Sequence, residues 1–370
     1  MIKRKALTLF ILHLPPPVHG AAIMGQYIQA SVVINKSFDT DYINLSTSGN
    51  LNEIGKGGFL KLYTLLKLLS KITGALFSRK YDLCYMTLTA KGPGFYKDFL
   101  IVALLKLFRL KIIYHFHNKG VSSRQSNELD HLFYKFTFKD TKSILLSKHL
   151  YPDIDKYVAQ KDVFYCPNGI PSNSSTIKSP DDSTSNQPCR LLFLSNMMQA
   201  KGVYILLKAC QILNEKGLLF ECHFVGDWSD VSAGSFDNAV LNNNLTKKVF
   251  AHGKKFGFDK YAFLLNSDIF IHPTLNDCFP LVLLEAMQFC LPIISTPEGG
   301  IPDIVVDGKT GFLVLQKDAV ALAEKIELLI NQPELRQQMG AAGQKRYKEL
   351  FTLEKFENNL CSILKQAIDR

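Results

Sequence analysis

The stretch 272-HPTLNDCFPLVLLEAMQFCLPIIST-296 decides the fold of this 370-residue chain. It leaves an apolar strand at His272, crosses a polar loop to Cys278, enters a helix that opens at Pro280, and returns to a second strand at Ile293-Ile294. Proline suits a first helical turn because its missing N–H would have no partner there. The free backbone N–H groups of that turn, around Leu281 and Val282, suit a phosphate. Glu285 lies farther into the helix between Leu283-Leu284 and Ala286-Met287. A carboxylate in so apolar a setting is costly unless it is paired or hydrogen-bonded. It is either an internal ion pair, a glutamate facing water at the sheet edge, or an acceptor for the two vicinal hydroxyls of a ribose.

The strand, loop, helix, strand pattern recurs on both sides of this stretch. Short runs rich in β-branched and aromatic residues, each followed by a segment with helical apolar spacing, imply βαβ units around a parallel sheet. Six such strands are expected at 5–14, 42–45, 81–87, 110–117, 143–147 and 162–166, and six more at 190–195, 220–226, 249–253, 267–273, 291–296 and 311–314. Between the two sets, residues 171–188 have no apolar periodicity and are dense in Ser, Asn, Asp and Pro, the composition of a linker. The organisation predicted is an α/β chain of two Rossmann-like domains, residues 1–170 and 189–350, facing across a cleft at the carboxyl ends of their strands. Three helices should follow the last strand, at 318–331, 334–350 and 352–368. The last of them, within 352–370, should cross back onto the first domain.

Composition excludes several classes. With 47% hydrophobic and 21% charged residues the chain is neither disordered nor fibrous. Its eight cysteines form no Cys-x-x-Cys pair and have no companion histidine spacing, which argues against a disulfide framework and a zinc site and for a reducing cytoplasm. The basic, apolar start MIKRKALTLFILHLPPP imitates a signal peptide, but His13 interrupts the apolar run and a first buried strand is the better reading. The net charge of +10 is unevenly placed: residues 1–170 hold 23 Lys/Arg against 11 Asp/Glu, and residues 171–370 hold 20 against 22. A basic half suits an anionic membrane or a phosphate-bearing lipid, or serves solubility alone. The segment 59–77, FLKLYTLLKLLSKITGALF, reads as an apolar helix carrying Lys61, Lys67 and Lys71, with Lys56 before it and Arg79-Lys80 after, so a peripheral contact at the inner membrane face is expected. No nucleic-acid reader motif accompanies the charge.

Asp277 stands eight positions before Glu285 in the run DCFPLVLLEAM, and this segment resembles the donor signature of the family-four retaining glycosyltransferases with the GT-B fold, also called glycosyl transferases group 1. The resemblance implies that Glu285 binds the nucleotide ribose and that Asp277, where the family has Glu, contacts the transferred sugar. Cys278 departs from the family's Gly. In 191-LLFLSNMMQAKGVYILLKAC-210, it places Lys201 beside the donor diphosphate, with Asn196 where the family carries Arg. The run 221-ECHFVGD-227 matches the family's strand-to-Gly226 turn, and 251-AHGKKFG-257 its base-holding loop, giving Gly253, Lys254 and Phe256 at the nucleobase edge. PEGGIPDIVVDGKTGFLV, 297–314, matches its Gly-Gly-Ile-Pro turn. In the first half, Gly20 of LPPPVHGAA is implied beside the donor diphosphate and acceptor, and His117 of KIIYHFHNKG near the donor sugar. His115 reads as a hydrogen-bonded core residue.

The function so implied is transfer of a sugar from a nucleotide-diphosphate sugar, of UDP or GDP type, to a hydroxyl of a glycan or lipid-linked acceptor, with retention, in cell-surface polysaccharide or glycolipid synthesis. His117, Asp277 and Lys201 are the catalytic candidates. No paired acidic metal motif is visible, and neither metal nor separate cofactor is expected. Two other readings stay open: a sugar-nucleotide epimerase-like enzyme on the same scaffold, and a non-catalytic nucleotide-binding partner subunit.

Overall fold

The computed structural model describes residues 4–46, 59–173 and 187–369. The chain divides into two compact units, residues 1–168 with 353–370, and residues 169–352. Most of the predicted linker, residues 174–186, lies outside the described residues, as does Lys56.

The first unit runs β1 (Leu7–Leu12), α1 (Gly20–Ala30), α2 (Val32–Ser37), β2 (Asp39–Asn44), α3 (Phe59–Ser78), β3 (Leu83–Thr87), α4 (Gly92–Leu107), β4 (Ile112–His115), α5 (Glu128–Phe138), β5 (Lys142–Leu145) and β6 (Val163–Tyr165). Its strands pair in parallel in the order β2-β1-β3-β4-β5-β6. The run LTLFIL of β1 is buried at every position, as a central strand covered on both faces must be, whereas β2 at the edge keeps exposed ends. Right-handed crossovers place α3, α4 and α5 on one face of this sheet.

The second unit runs β7 (Cys189–Leu194), α6 (Val203–Glu215), β8 (Phe220–Val225), α7 (Ala233–Asn242), β9 (Val249–Ala251), α8 (Gly257–Leu265), β10 (Ile269–His272), α9 (Leu281–Gln288), β11 (Ile293–Ser295), α10 (Ile301–Ile304), β12 (Gly311–Leu313), α11 (Ala319–Asn331) and α12 (Pro333–Leu350). The sheet order is β12-β11-β10-β7-β8-β9. Its core is built from apolar faces of β7, β8, α6, α7 and α11, with Phe193, Phe224 and Phe236 in a chain of ring contacts 5.1 and 5.0 Å apart. The chain ends in α13 (Leu353–Asp369), which packs on α2 of the first unit and buries Phe356, Leu360, Ile363 and Leu364.

All twelve strands read from the sequence are present; ten are one to several residues shorter than expected because the flanking residues belong to the loops at the strand ends, β7 has the expected length one residue earlier, and β2 is longer, beginning at Asp39. The strand order of the second unit matters most for chemistry. The chain lays down β7, β8 and β9 in one direction, then returns to the other side of β7 for β10, β11 and β12. The connections after β7 and β10 therefore leave on opposite faces, and the crevice between their carboxyl ends is where doubly wound sheets hold ligands.

Candidate functional site

At that switch point the loop after β7 meets the loop after β10. Gly202, with φ +83°, lets the two backbones touch: a Cβ there would stand 2.1 Å from the carbonyl oxygen of Pro273. The Leu275 N–H donates to the Ala200 carbonyl at 2.8 Å, and the Thr274 hydroxyl to the same carbonyl at 3.2 Å. This junction brings Lys201 to Asp277, 76 residues apart in sequence, with Nζ 2.6 Å from Oδ2. Lys201 sits in a tight turn over Gln199–Lys201 ahead of α6, so it precedes the helix by two positions. Its ammonium also donates to the Asn276 carbonyl at 3.3 Å.

A second donor reaches the same carboxylate oxygen. His272, the last residue of β10 and 1% exposed, stands with Nε2 2.9 Å from Asp277 Oδ2. Its Nδ1 is buried without a hydrogen-bond partner, and the contact to the carboxylate is a hydrogen bond when the proton is on Nε2, which then donates. Burial alone would push the Asp277 carboxyl up, but His272 and Lys201 together hold it at about 2, so it is ionised at neutral pH. Both partners use Oδ2, which leaves Oδ1 for another donor. Asp277 does not cap α9: the capping position is Pro280, extended at φ −70° and ψ 119°, and the helix begins at Leu281, one residue later than the sequence suggested. The next loop braces this one from behind. Gly299, at φ +55°, packs so close that a Cβ would lie 2.4 Å from the Asp277 carbonyl oxygen, and the Gly300 N–H donates to the Cys278 carbonyl at 2.7 Å. Glu298 accepts from the Asp277 N–H at 3.3 Å and from the Gln316 amide at 3.0 Å.

Leu281 and Val282 form the first turn of α9, and Glu285 follows at its fifth position. Glu285 Oε1 accepts from Lys260 of α8 at 2.7 Å, while Oε2 is buried with no hydrogen-bond partner. Gly226 lies against the Asn196 backbone, and its N–H donates to the Gly253 carbonyl at 3.0 Å, joining the loops after β7, β8 and β9. Lys254 pairs with Asp227 at 3.2 Å and lies 5.0 Å over the Phe256 ring, which is 59% exposed. The structure thus gathers Asn196, Gly226, Gly253, Lys254 and Phe256 along one line of loops, and Lys201 with Asp277 at the switch point.

Gly20 and His117 belong to the other unit. Gly20 opens α1 with clear space beside its α-carbon, and the His19 ring caps the helix by accepting from the Ala22 N–H at 3.3 Å. His117 lies two residues past the end of β4, with its ring 4.3 Å from that of His115. Burial, with His19 nearby, pushes its pKa down to about 3; burial, with Lys97 next, does the same to His13. His115 is fully buried and within 2.6 Å of the Tyr85 hydroxyl, a core residue. Sequence reasoning passed over His272, Lys260 and Glu298. His272 carried a usable signal, a histidine closing an apolar strand just before the loop of interest, whereas Lys260 shows its role only through α8 packing.

One surface bears on a partner. On α3, Leu62, Tyr63, Leu66 and Phe77 are 53–77% exposed beside exposed Lys67 and Lys71; the Lys61 side chain is outside the described part. No helix among the described residues is long and apolar enough to cross a membrane. Among them, too, no three His, Cys, Asp or Glu side chains are grouped to hold a metal ion.

Comparison with known proteins places this geometry. Residues 176–346 match the family of glycosyl transferases group 1. The capsular polysaccharide biosynthesis glycosyltransferase CapM of Staphylococcus aureus is 31% identical over 180 residues, 47% of this chain and 46% of its own. The amylovoran biosynthesis glycosyltransferase AmsK of Erwinia amylovora is 28% identical over 229 residues, 59% of this chain and 55% of its own. The matched part thus spans about half the length of these curated relatives. Among solved structures, a glycosyltransferase of Rickettsia africae superposes with a TM-score of 0.75 at 18% identity, over 98% of this chain and 99% of its own. Anabaena HepE, solved in complex with UDP, superposes with a TM-score of 0.75 at 16% identity, over 98% of this chain and 100% of its own. These likenesses extend over both units and show the two-Rossmann fold of GT-B proteins, and in sequence residues 176–346 match the family of glycosyl transferases group 1.

Proposed function

We propose that this protein is a glycosyltransferase that moves a sugar from a nucleoside-diphosphate sugar to a hydroxyl of a glycan or lipid-linked acceptor, with retention at the anomeric carbon, in cell-surface polysaccharide synthesis. The observation that carries this reading is the meeting of Lys201, His272 and Asp277 at the β7/β10 switch point. An ammonium there can face the diphosphate and offset the charge that grows as the glycosidic bond breaks. The ionised Asp277 presents Oδ1 to a sugar hydroxyl. Retention follows from the resemblance of the DCFPLVLLEAM run to retaining enzymes, with the leaving phosphate oxygen taking the acceptor's proton. Glu285 takes the ribose, Leu281 and Val282 the phosphates, Asn196 and Gly226 the adjoining diphosphate, and Gly253, Lys254 and Phe256 the base. Gly20 and His117 serve the sugar and acceptor. The donor is a substrate, and no further cofactor enters this reading.

The relatives named for capsular and amylovoran synthesis support a polysaccharide acceptor, and HepE's complex with UDP supports a uridine over a guanosine donor. A cytoplasmic protein touching the inner membrane face through α3 fits a lipid-linked acceptor. The test is a panel of labelled UDP- and GDP-sugars, screened first by thermal shift and then for label on a separate acceptor. Lys201→Ala should slow transfer about a hundredfold or more. Label that stays on the nucleotide as a changed sugar would favour the epimerase reading, and full transfer by Lys201→Ala would refute the role given to that lysine.

A further inference from the structure

The second unit carries a cavity lined by none of the residues given to the donor. Its volume is about 480 Å³, within the range of small-molecule sites, and its walls include Arg190 of β7, Glu221 and His223 of β8, Phe263 of α8 and Asn266 just after that helix. Arg190 and Glu221 are each the second residue of their strand and stand side by side in register. Asn196 and Gly226 lie past the other ends of the same two strands, about 15–20 Å away at ~3.3 Å per residue. The cavity is thus separate from the donor crevice. Its polar groups have bonding capacity to spare. The Arg190 guanidinium, a fork of N–H donors, has one hydrogen bond among the described residues, a long one of 3.5 Å to the Asn266 carbonyl. The Glu221 carboxylate stands 3.5 Å from His223 Nε2, and its side chain is 35% exposed, so a ligand can reach it. Neighbours though they are, the two charges form no ion pair with each other among the described residues. His223 is fixed from its other side by His252, whose Nε2 lies 3.0 Å from its Nδ1.

These features select a class of ligand. One guanidinium and one carboxylate balance in charge, which suits a neutral molecule better than a phosphate or a polyanion. A hydroxyl serves both groups, accepting from the guanidinium and donating to the carboxylate. The Phe263 and His223 rings lie 6.3 Å apart at 51°, too close and too steeply inclined to admit a flat base between them. A puckered sugar ring needs no such slot, because its C–H groups can lie against the negative face of one aromatic ring. We propose that this cavity binds one neutral pyranose of a glycan, with Glu221 accepting from and Arg190 donating to adjacent hydroxyls and Phe263 meeting the C–H face. The assignment is independent of the roles given to Lys201, Asp277 and Glu285. It adds a second carbohydrate site at the far ends of the strands that carry the donor loops.

The experiment is saturation-transfer NMR on the full chain with the methyl glycosides of glucose, galactose, mannose and N-acetylglucosamine, and with adenosine as a planar control, each with and without excess UDP. At least one glycoside should bind with a Kd of about 1–10 mM, the scale of a few partly exposed contacts, unaffected by UDP and with transfer strongest to one ring face. Glu221→Ala and Arg190→Ala should each weaken that binding about tenfold or more, the scale of a hydrogen bond to a charged group. Phe263→Leu, which keeps an apolar side chain, should weaken it about three- to tenfold. A parental melting curve by circular dichroism shows that each variant is folded, and Arg190→Gln replaces an alanine variant that is not. No transfer to any glycoside overturns the proposal, as does unchanged affinity in both the Glu221 and Arg190 variants. Displacement of the glycoside by UDP overturns it too, by placing the sugar in the donor crevice. Tighter binding of adenosine than of every glycoside, lost in the same variants, assigns the cavity to a base instead. A disaccharide of the bound sugar should bind at least as well, and its exclusion overturns the assignment to a glycan. Absence of UDP binding overturns the donor reading and leaves this one standing.

Discussion

Replacing Asp277 by Asn should destabilise the second unit in a way that depends on pH. Burial raises the Asp277 carboxyl, yet His272 and Lys201 more than reverse this and bring it from the ordinary 3.8 to about 2. A little under two tenfold steps in acidity corresponds to about 2 kcal/mol at roughly 1.4 kcal/mol per step. The carboxyl is 15% exposed, so this stabilisation is only lightly screened. A carboxyl held lower in the folded than in the unfolded chain stabilises the fold above the unfolded value, and that contribution disappears as pH falls through the folded one. It should be complete at pH 7, largely intact at pH 4 and roughly half gone at pH 3. The single tryptophan, Trp228, lies in the second unit against Phe236, so its fluorescence follows that unit alone. For a body of this size, about 2 kcal/mol lowers the midpoint by roughly 4–8 °C. Thermal unfolding followed by Trp228 should show Asp277→Asn lagging by that amount at pH 7, with the gap narrowing toward pH 3. Coincident curves at pH 7, or a gap that widens in acid, would refute the assignment of His272 and Lys201 as the groups that hold this carboxylate.

Gly299→Ala should cost about 1–3 kcal/mol, since a side chain at φ +55° is strained and its Cβ would press on the Asp277 carbonyl. The same substitution should raise the donor KM, because the carbonyl cannot yield without moving the carboxylate; an unchanged KM in a destabilised variant would detach this glycine from the site. Reversing Lys67 and Lys71 to Glu should weaken sedimentation with vesicles containing phosphatidylglycerol about tenfold or more, each lysine being worth about 1 kcal/mol near an anionic surface, and retained binding would remove α3 from the membrane contact.

The fold was legible because parallel strands are buried on both faces and so announce themselves as apolar runs such as LTLFIL of β1 and LLFL within β7. Strand ends were overrun for the same reason: Pro273 and Gly226 continue the apolar text but belong to turns. The site was legible residue by residue, because proline at a helix start and glutamate in an apolar run are anomalies that local chemistry can flag. Its pairings were not. Nothing local links Lys201 to Asp277, since strand order alone makes neighbours of β7 and β10. Likewise Lys260 reads as a solvated lysine of an ordinary helix until α8 is laid against α9. The resemblance named Asp277 but gave no hint that His272 would share its oxygen.

The return of α13 to α2 has a consequence in time. On a ribosome, β1 to β6 emerge first, but the surface of the first unit on which α13 packs lacks that cover until the whole second unit, residues 169–352, has been made. At about 5–20 residues per second this is an interval on the order of ten to forty seconds. During it the earlier unit is a nearly finished body with an open seam, the kind of surface that chaperones hold and that misassembly exploits. Synthesis of α13, and not completion of either sheet, is then the event that closes the first unit.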